Sequence, residues 1–207
     1  MATIAQTPPI FDSESARGRL LAAAARLFRT KGYAATTVRD IGAETGILSG
    51  SLFYHFRSKE EILFTVMETV IAAMRQDLAA ELTRAGDCRA KIRALLAVEL
   101  AYLHGPASDA TAVLFHEWRA LSPARRAVLL AGRNAYFGEW ERVLGEARDA
   151  GLTRMEPEIL RQFLHGALAW TSFWYRPSGS LTPDALVNQA LVLVLGNAAP
   201  ETLPPSA

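Results

Sequence analysis

Apolar residues recur at helical spacing along most of the chain. Positions three and four apart lie on one side of a helix, whereas the strict alternation that indicates strands is nearly absent. Two stripes show the helical spacing best: Leu20, Leu21, Ala24, Leu27 and Phe28, and then Ile62, Leu63, Val66, Met67, Val70, Ile71 and Met74. The pattern predicts an all-α protein.

Helix start signals divide this pattern into about nine segments. Thr37 with Asp40 and Ser58 with Glu61 have the spacing of a capping box, in which a hydroxyl and an acid cap the same helix end. A hydroxyl residue precedes a proline at 122–123 and at 182–183, and proline is favoured at the first helical position. The predicted helices are 13–31, 37–44, 48–55, 59–84, 88–104, 107–120, 123–150, 157–175 and 183–197.

Composition limits the class of protein. The chain has 207 residues, of which 50% are hydrophobic and 21% charged, and one cysteine, Cys88. These values exclude disordered, collagen-like and disulfide-stapled proteins. A lone cysteine cannot form an internal disulfide, and neither a signal peptide nor a stretch of roughly 18–20 apolar residues is visible. We therefore expect a soluble, cytoplasmic protein with no membrane partner.

Residues 33–60 predict two short helices joined by a tight turn; they read YAATTVRDIGAETGILSGSLFYHFRSKE. Gly46 tolerates the left-handed conformation that ends the first of them. Two short helices joined by a glycine-containing turn form a helix-turn-helix. The positions spaced to pack this pair onto the first helix are Val38, Ile41, Ile47, Leu52 and Phe56.

The second helix of the pair has an unusual outward face, made of Ser49, Gly50, Ser51, Tyr54 and His55. A generic helical hairpin, which is the alternative, would carry Glu and Lys on its solvated face. Small polar residues with Tyr and His suit a helix that enters the major groove of DNA and meets base edges and phosphates. The face favours DNA recognition.

The same segment resembles the TetR/AcrR family of one-component transcriptional regulators. The motifs that carry the resemblance lie at 27–33, 36–41, 46–50 and 56–60. The resemblance implies a helix-turn-helix DNA-binding domain over 13–60, with its recognition helix at 48–55. A helical ligand-binding and dimerisation domain follows over 61–197, and we expect disordered tails at 1–12 and 198–207.

The resemblance also implies which residues bind DNA. Thr37, Arg39, Tyr54 and Lys59 would contact phosphates, and Ser49, Gly50, Ser51 and His55 would enter the groove. Leu48, at the start of the recognition helix, is also a predicted DNA-binding residue. Two positions depart from the family pattern: Leu48 replaces the usual Ser cap, and Phe53 replaces a Tyr whose hydroxyl contacts phosphate. Tyr54 points about 100° away from that position on a helix of 3.6 residues per turn.

Charge is divided unevenly along the chain. The net charge is +1, but residues 1–60 hold eight basic and five acidic residues, and the remainder has a net charge of −2. A dimer would double the positive face, so we expect strongly salt-sensitive binding to double-stranded DNA.

Aromatic residues crowd into the second part of the chain. All four tryptophans lie between 115 and 175, and His104, His116, Arg119, Arg133, Asn134 and His165 are interleaved with them. An apolar cavity with a few polar groups is typical of a ligand site between helices, although such aromatics can also be ordinary core. The predicted ligand-binding residues are Phe115, His116, Trp118, Arg119, Phe137, Trp140, Phe163, Trp170 and Trp174.

Residues 115–119 and 170–177 resemble the subset of the family that senses acyl-CoA thioesters. This resemblance implies a repressor that a small apolar or acyl-CoA-type effector releases from a pseudo-palindromic operator. The last two helices, 157–175 and 183–197, suit a homodimer because the first places small residues beside aromatics and the second is apolar around most of its circumference.

An enzyme has little support in the sequence. His55, His104, His116 and His165 are far apart, so no metal site is expected, and no cofactor or catalytic motif is visible. The alternative that stays open is a helical small-molecule-binding protein or enzyme with a vestigial helix-turn-helix.

Overall fold

The computed structural model describes residues 9–47 and 49–196, without the side chains of 49–51, and this part of the chain is all-helical. The predicted fold class is confirmed. The expected C-terminal tail at 198–207 lies outside the described residues, as do residues 1–8 of the N-terminal one. The helices are α1 Ala16–Lys31, α2 Val38–Thr45, α3 Ser49–His55, α4 Lys59–Arg84, α5 Cys88–His104, α6 Ser108–His116, α7 Pro123–Asp149, α8 Pro157–Trp174 and α9 Pro183–Leu195.

Side-chain caps fix most helix starts. The Thr37 hydroxyl accepts the Asp40 N–H at 3.1 Å, and the Asp40 carboxylate accepts the Thr37 N–H at 2.8 Å, so the predicted capping box is present. The Ser58 and Thr182 hydroxyls cap α4 and α9 by accepting the N–H of Glu61 and Ala185. The predicted box of Ser58 with Glu61 is only half formed, because the Glu61 carboxylate accepts the N–H of Arg57 instead. The start of α1 differs from the prediction: it begins at Ala16 because the Ser15 hydroxyl caps it, and Ile10 and Phe11 already pack against the core before it.

The predicted helix 107–120 is interrupted. α6 ends at His116, and a short 3-10 turn, Trp118–Ala120, follows it. Glu117 lies at the break and its carboxylate accepts the N–H of Tyr33, 3.0 Å away in the loop between α1 and α2. The break thus coincides with a contact to a distant part of the chain.

α5 is the central helix of the body. From Ala94 to Leu103 every residue is buried, because α4, α6, α7, α8 and α9 all pack around it. α4 is long enough to join α1 at one end and α5 and α7 along its length. The helix-turn-helix therefore stands on a continuous core that extends into the body.

Candidate DNA-binding surface and effector cavity

The turn between α2 and α3 has the geometry of a helix-turn-helix. Gly46 has a φ of 69°, in the left-handed region where a Cβ is unfavourable. The N–H of Ile47 bonds back to the Gly42 carbonyl at 3.0 Å and closes the helix end. Leu52 and Phe56 are each 1% exposed. α3 is thus anchored by one face, and its opposite face is held outward.

That outward face carries aromatic side chains that contribute nothing to the core. Tyr54 is 90% exposed and Phe53 57% exposed, while His55 is half-buried with its ring 5.4 Å from that of Tyr54. Phe53 was not among the predicted DNA-binding residues, although its exposure puts it on the surface of α3. Leu48 and the side chains of Ser49, Gly50 and Ser51 lie outside the described residues.

The remaining predicted phosphate contacts differ in their surroundings. Arg39 is exposed. The Thr37 hydroxyl is engaged with Asp40, to whose carboxylate it also donates at 2.9 Å. The Lys59 ammonium donates to the carbonyls of Tyr33 at 2.9 Å and Thr36 at 2.8 Å. A phosphate role for Lys59 stays a prediction, and this geometry counts against it because the ammonium already anchors the loop before α2.

The body contains a cavity of about 430 Å³ between α4, α5, α6, α7 and α8. Among the residues that line it, Arg133, Asn134 and Gln162 are exposed to solvent, whereas Ile71 and Leu129 are buried. The cavity therefore has an apolar floor and a polar rim, on which Arg161 is paired with Glu141. Its other lining residues are Met74, Glu99, Thr111, Leu114, Phe115, Trp118, Tyr136, Phe137, Glu141, Arg161 and His165.

The structure brings three of the nine predicted ligand-binding residues to this cavity: Phe115, Trp118 and Phe137. Trp140 is fully buried beneath it, and His116 and Arg119 are exposed beyond it. The other three lie on the outer side of α8. The side of this helix that faces the cavity carries Arg161 and His165 instead. Those three are Phe163, Trp170 and Trp174.

A buried carboxylate that sequence reasoning missed lies at the cavity wall. Glu99 is 1% exposed, and its Oε2 accepts the hydroxyl of Tyr136 at 2.7 Å. Its Oε1 lies 2.9 Å from Nδ1 of His165, at an angle too oblique for a directed hydrogen bond. Burial, and then the charge of Glu99, raise the pKa of Tyr136 well above its ordinary value, so this hydroxyl stays protonated. The signal was a single charge within the apolar stretch 94–103.

Two arginines stand at the rim over aromatic rings. The Arg161 guanidinium lies 4.6 Å from the Phe137 ring centre and donates to Glu141 at 2.7 Å. Arg133 lies 6.0 Å from the ring centre of Trp118. Guanidinium groups placed in this manner bind phosphates and carboxylates.

The outer side of α8 forms an exposed apolar stripe, and α9 exposes apolar side chains of its own, which we count with it as the outer stripe. Trp170 is 62% exposed and Phe163 65%, and Leu193 on α9 is 72% exposed. Gly166 lies within the stripe, and a Cβ built there would meet nothing within 4 Å. An apolar surface of this extent indicates an interaction site. The remaining members of the stripe are Ile159, Phe173, Trp174 and Val192.

The segment between α6 and α7 connects the cavity to the helix-turn-helix. Trp118 lines the cavity, while its neighbour Glu117 holds the N–H of Tyr33. A few residues on, the Ser122 N–H donates to Glu60 at 2.8 Å, and this bond holds the pKa of the Glu60 carboxyl below its ordinary value. Arg29 of α1 also pairs with Asp109 of α6 at 2.6 Å.

Two further features concern metal ions and membranes. Within residues 9–47 and 49–196, no cluster of His, Cys, Asp or Glu is arranged to hold a metal ion. None of the helices in this described part combines the length and the apolarity that crossing a membrane requires.

Family models match both parts of the chain. The model for bacterial regulatory proteins of the tetR family matches residues 20–66, which include the helix-turn-helix. The model for the tetracyclin repressor-like C-terminal domain matches residues 85–197, which include the cavity and the outer stripe.

Individual relatives agree in length and shape. The chain is 38% identical to the HTH-type transcriptional repressor KstR2 of Rhodococcus jostii (strain RHA1), over 91% of this chain and 95% of that protein. It is similar to the crystal structure of superantigen pfit, with 46% identity, a TM-score of 0.79, and coverage of 90% of this chain and 92% of that one. The structure of AibR in complex with isovaleryl coenzyme A and operator DNA shares the fold at 22% identity, with a TM-score of 0.78 and coverage of 86% and 97%.

Proposed function

The chain belongs to the TetR family of bacterial regulatory proteins and is a helix-turn-helix transcriptional repressor rather than an enzyme, and on this premise we propose a specific mode of action. A cytoplasmic homodimer binds a pseudo-palindromic operator through α3. An apolar effector of the acyl-CoA class enters the cavity and releases the operator. The DNA-binding domain spans 13–60, and the effector-binding and dimerisation domain spans 61–197.

The observation that carries the DNA-binding mode is the position of Tyr54. It is 90% exposed on a helix whose other face is anchored by fully buried side chains. Such a helix can enter a major groove without disturbing the core, and Tyr54, Arg39 and His55 are then available to phosphates and base edges. In a two-fold dimer, half-site centres would be separated by about 34–36 Å, one turn of DNA, or by multiples of it.

The outer stripe of α8 and α9 supports the dimer. Exposed side chains such as Trp170 and Leu193 leave apolar surface on both helices that a second copy of the same surface can cover, as two-fold symmetry requires. Gly166 and the exposed Ala167 let two copies of α8 approach closely. Four helices, two from each subunit, would form the interface.

The cavity supports an acyl-CoA effector. Its floor, with Ile71, Met74 and Leu129, suits an acyl chain, whereas Arg133 and Arg161 at the rim suit the phosphates of coenzyme A. Isovaleryl coenzyme A is the ligand named for AibR, which has the same fold. That likeness supports an acyl-CoA as the class of effector and does not identify its acyl group.

The 117–122 segment supports the route by which the effector releases DNA. An effector that displaces Trp118 also moves Glu117, and with it the loop before α2. Because ligand and DNA then favour different arrangements of one contact, each weakens binding of the other by the same factor.

Gel-shift titration of the full chain with DNA from upstream of its own gene tests the proposal. We expect a salt-sensitive shift, loss of that shift in Tyr54→Ala, and release of wild-type protein by decanoyl-CoA. Val128→Ala truncates an exposed side chain of α7 in the body and serves as the matched control. Absence of any shift at low salt, or wild-type affinity in Tyr54→Ala, would contradict the proposed DNA interface.

A further inference from the structure

A second cavity, of about 270 Å³, lies where α1 meets the body and has no role in the mode of action described so far. Arg29 of α1 lines it from the DNA-binding domain. From the body it is lined by His104 of α5, by Ser108 of α6 and by Arg176, two residues past the end of α8. A ligand held here would therefore touch both domains at once.

The lining of this second cavity is positively charged. Arg29 and Arg176 keep their charge at any physiological pH, and no Asp or Glu is among the described residues that line it. The effector cavity differs in this respect, because Glu99 and Glu141 accompany its arginines. The second cavity is thus the one of the two whose lining favours an anion.

Both arginines of the second cavity retain donors for a ligand. Arg29 pairs with Asp109 through Nη1 at 2.6 Å, and a guanidinium has five N–H groups, so further donors remain. Arg176 donates from Nη1 to the carbonyl of Tyr175 at 3.1 Å, and within the part of the chain that the structure describes no carboxylate pairs with it. Guanidinium groups with free donors are typical ligands of phosphate oxygens.

Two uncharged features add to this preference for an anion. Tyr175 lines the cavity and is 4% exposed, and its buried hydroxyl has no hydrogen-bond partner among the described residues. Burial raises the pKa of this hydroxyl, so it keeps its proton and can donate to an acceptor bound beside it. α6 begins at Ser108 in the cavity wall without a side-chain cap, which places the positive end of the helix dipole there.

We propose that the second cavity binds a phosphate-bearing anion through Arg29 and Arg176, at the junction of the DNA-binding domain and the body. The proposal does not depend on the identity of the effector. Such an anion is either free in solution or a further phosphate of coenzyme A, since Thr111 and Phe115 line both cavities and make them neighbours.

Calorimetric titration of the full chain with inorganic pyrophosphate, at constant ionic strength, tests the site. Arg176→Gln removes one cation and leaves the pair of Arg29 with Asp109 in place, so it should bind pyrophosphate about tenfold more weakly. Arg154→Gln makes the same exchange at an exposed arginine outside both cavities and should bind like the wild type. Equal melting temperatures without pyrophosphate establish that both variants fold.

A second titration distinguishes the two sources of the phosphate. Pyrophosphate is added to wild-type protein that is already saturated with decanoyl-CoA. Undiminished affinity assigns the site to a free anion, whereas loss of binding assigns it to a phosphate of coenzyme A.

Three results would overturn the site. They are absence of pyrophosphate binding to the wild type, unchanged affinity in Arg176→Gln, and a loss that appears instead in Arg39→Gln, which would place the anion on the DNA-binding surface. None of them bears on the proposed operator binding or effector, because the gel shift and the decanoyl-CoA titration test those separately.

Discussion

Aromatic side chains lie on both sides of α8, and the two sides differ in what they face. Its inner side, with Arg161 and His165, faces a cavity walled by Trp118 and Phe137. Its outer side exposes Phe163 and Trp170. The two sides of one helix thus serve ligand binding and, in our proposal, subunit contact. Apolar surface inside the fold encloses a small molecule, whereas the same surface outside requires a second macromolecule to cover it.

The largest effect is expected from a charge placed in the outer stripe. Trp170→Glu puts a carboxylate where two copies of α8 would meet, and burying it there without a partner costs more than the interface gains. We expect light scattering after size exclusion to show half of the wild-type mass, with severe loss of operator affinity. Ser178→Glu adds the same charge at an exposed position outside the stripe and should remain a dimer. A dimeric Trp170→Glu would remove the stripe from the interface.

A truncation on the cavity side should weaken ligand binding and leave the dimer intact. Trp118→Ala removes a ring that lines the cavity and packs with Arg133, so decanoyl-CoA should bind about tenfold more weakly. Mass and operator affinity without ligand should stay as in the wild type. Calorimetry and light scattering on one sample check both statements, and an unchanged ligand affinity would exclude Trp118 from the site.

A smaller effect is expected where the cavity meets the helix-turn-helix. Glu117→Gln keeps the shape of the side chain but removes the charge that accepts the Tyr33 N–H. Decanoyl-CoA should bind as before, while its ability to weaken operator binding should fall about fivefold. Glu139→Gln, on the exposed face of α7, is the matched control. If Glu117→Gln responds to ligand like the wild type, the coupling takes another route.

The smallest effect concerns a contact of α8 with α5. Nε2 of His104 lies 2.6 Å from the Thr171 hydroxyl, and burial lowers the pKa of His104 below its ordinary value. Between the lowered pKa of the folded protein and the ordinary pKa of the unfolded chain, the unfolded chain binds more protons than the folded one. The free energy of unfolding therefore rises with pH through this window, and the contribution of His104 is fully present above about pH 6.5. In His104→Gln the melting temperature should fall less on acidification from pH 7 to pH 5.5, by about 2 °C. Equal slopes in both proteins would contradict the assignment.

The helix pattern was readable from the sequence because its determinants are local. Thr37, Ser58 and Thr182 cap helices within three residues of themselves, and the observed helices begin directly after them. The break after α6 was not readable, because it accompanies a bond from Glu117 to Tyr33, 84 residues away. Long-range contacts of this kind leave no periodic trace.

The site was only partly predictable for a related reason. The aromatics of α8 share one face of the helix, and helical spacing alone could not show whether that face meets the cavity or the outer surface. Trp118 and Phe137 were predicted as ligand-binding residues from their position near polar groups, and the structure places both at the cavity, where a ligand role stays a prediction. Glu99 left a visible signal as the one charge in the stretch 94–103, and its meaning depends on Tyr136 and His165, which belong to other helices.

The separation of the two sides of α8 can be tested most directly by tryptophan fluorescence during titration with decanoyl-CoA. Trp118 lines the cavity, whereas Trp170 lies on the outer stripe. We expect the ligand-induced change in emission to be largely lost in Trp118→Phe and retained in Trp170→Phe. A change that persists in Trp118→Phe and disappears in Trp170→Phe would contradict the assignment of these two surfaces.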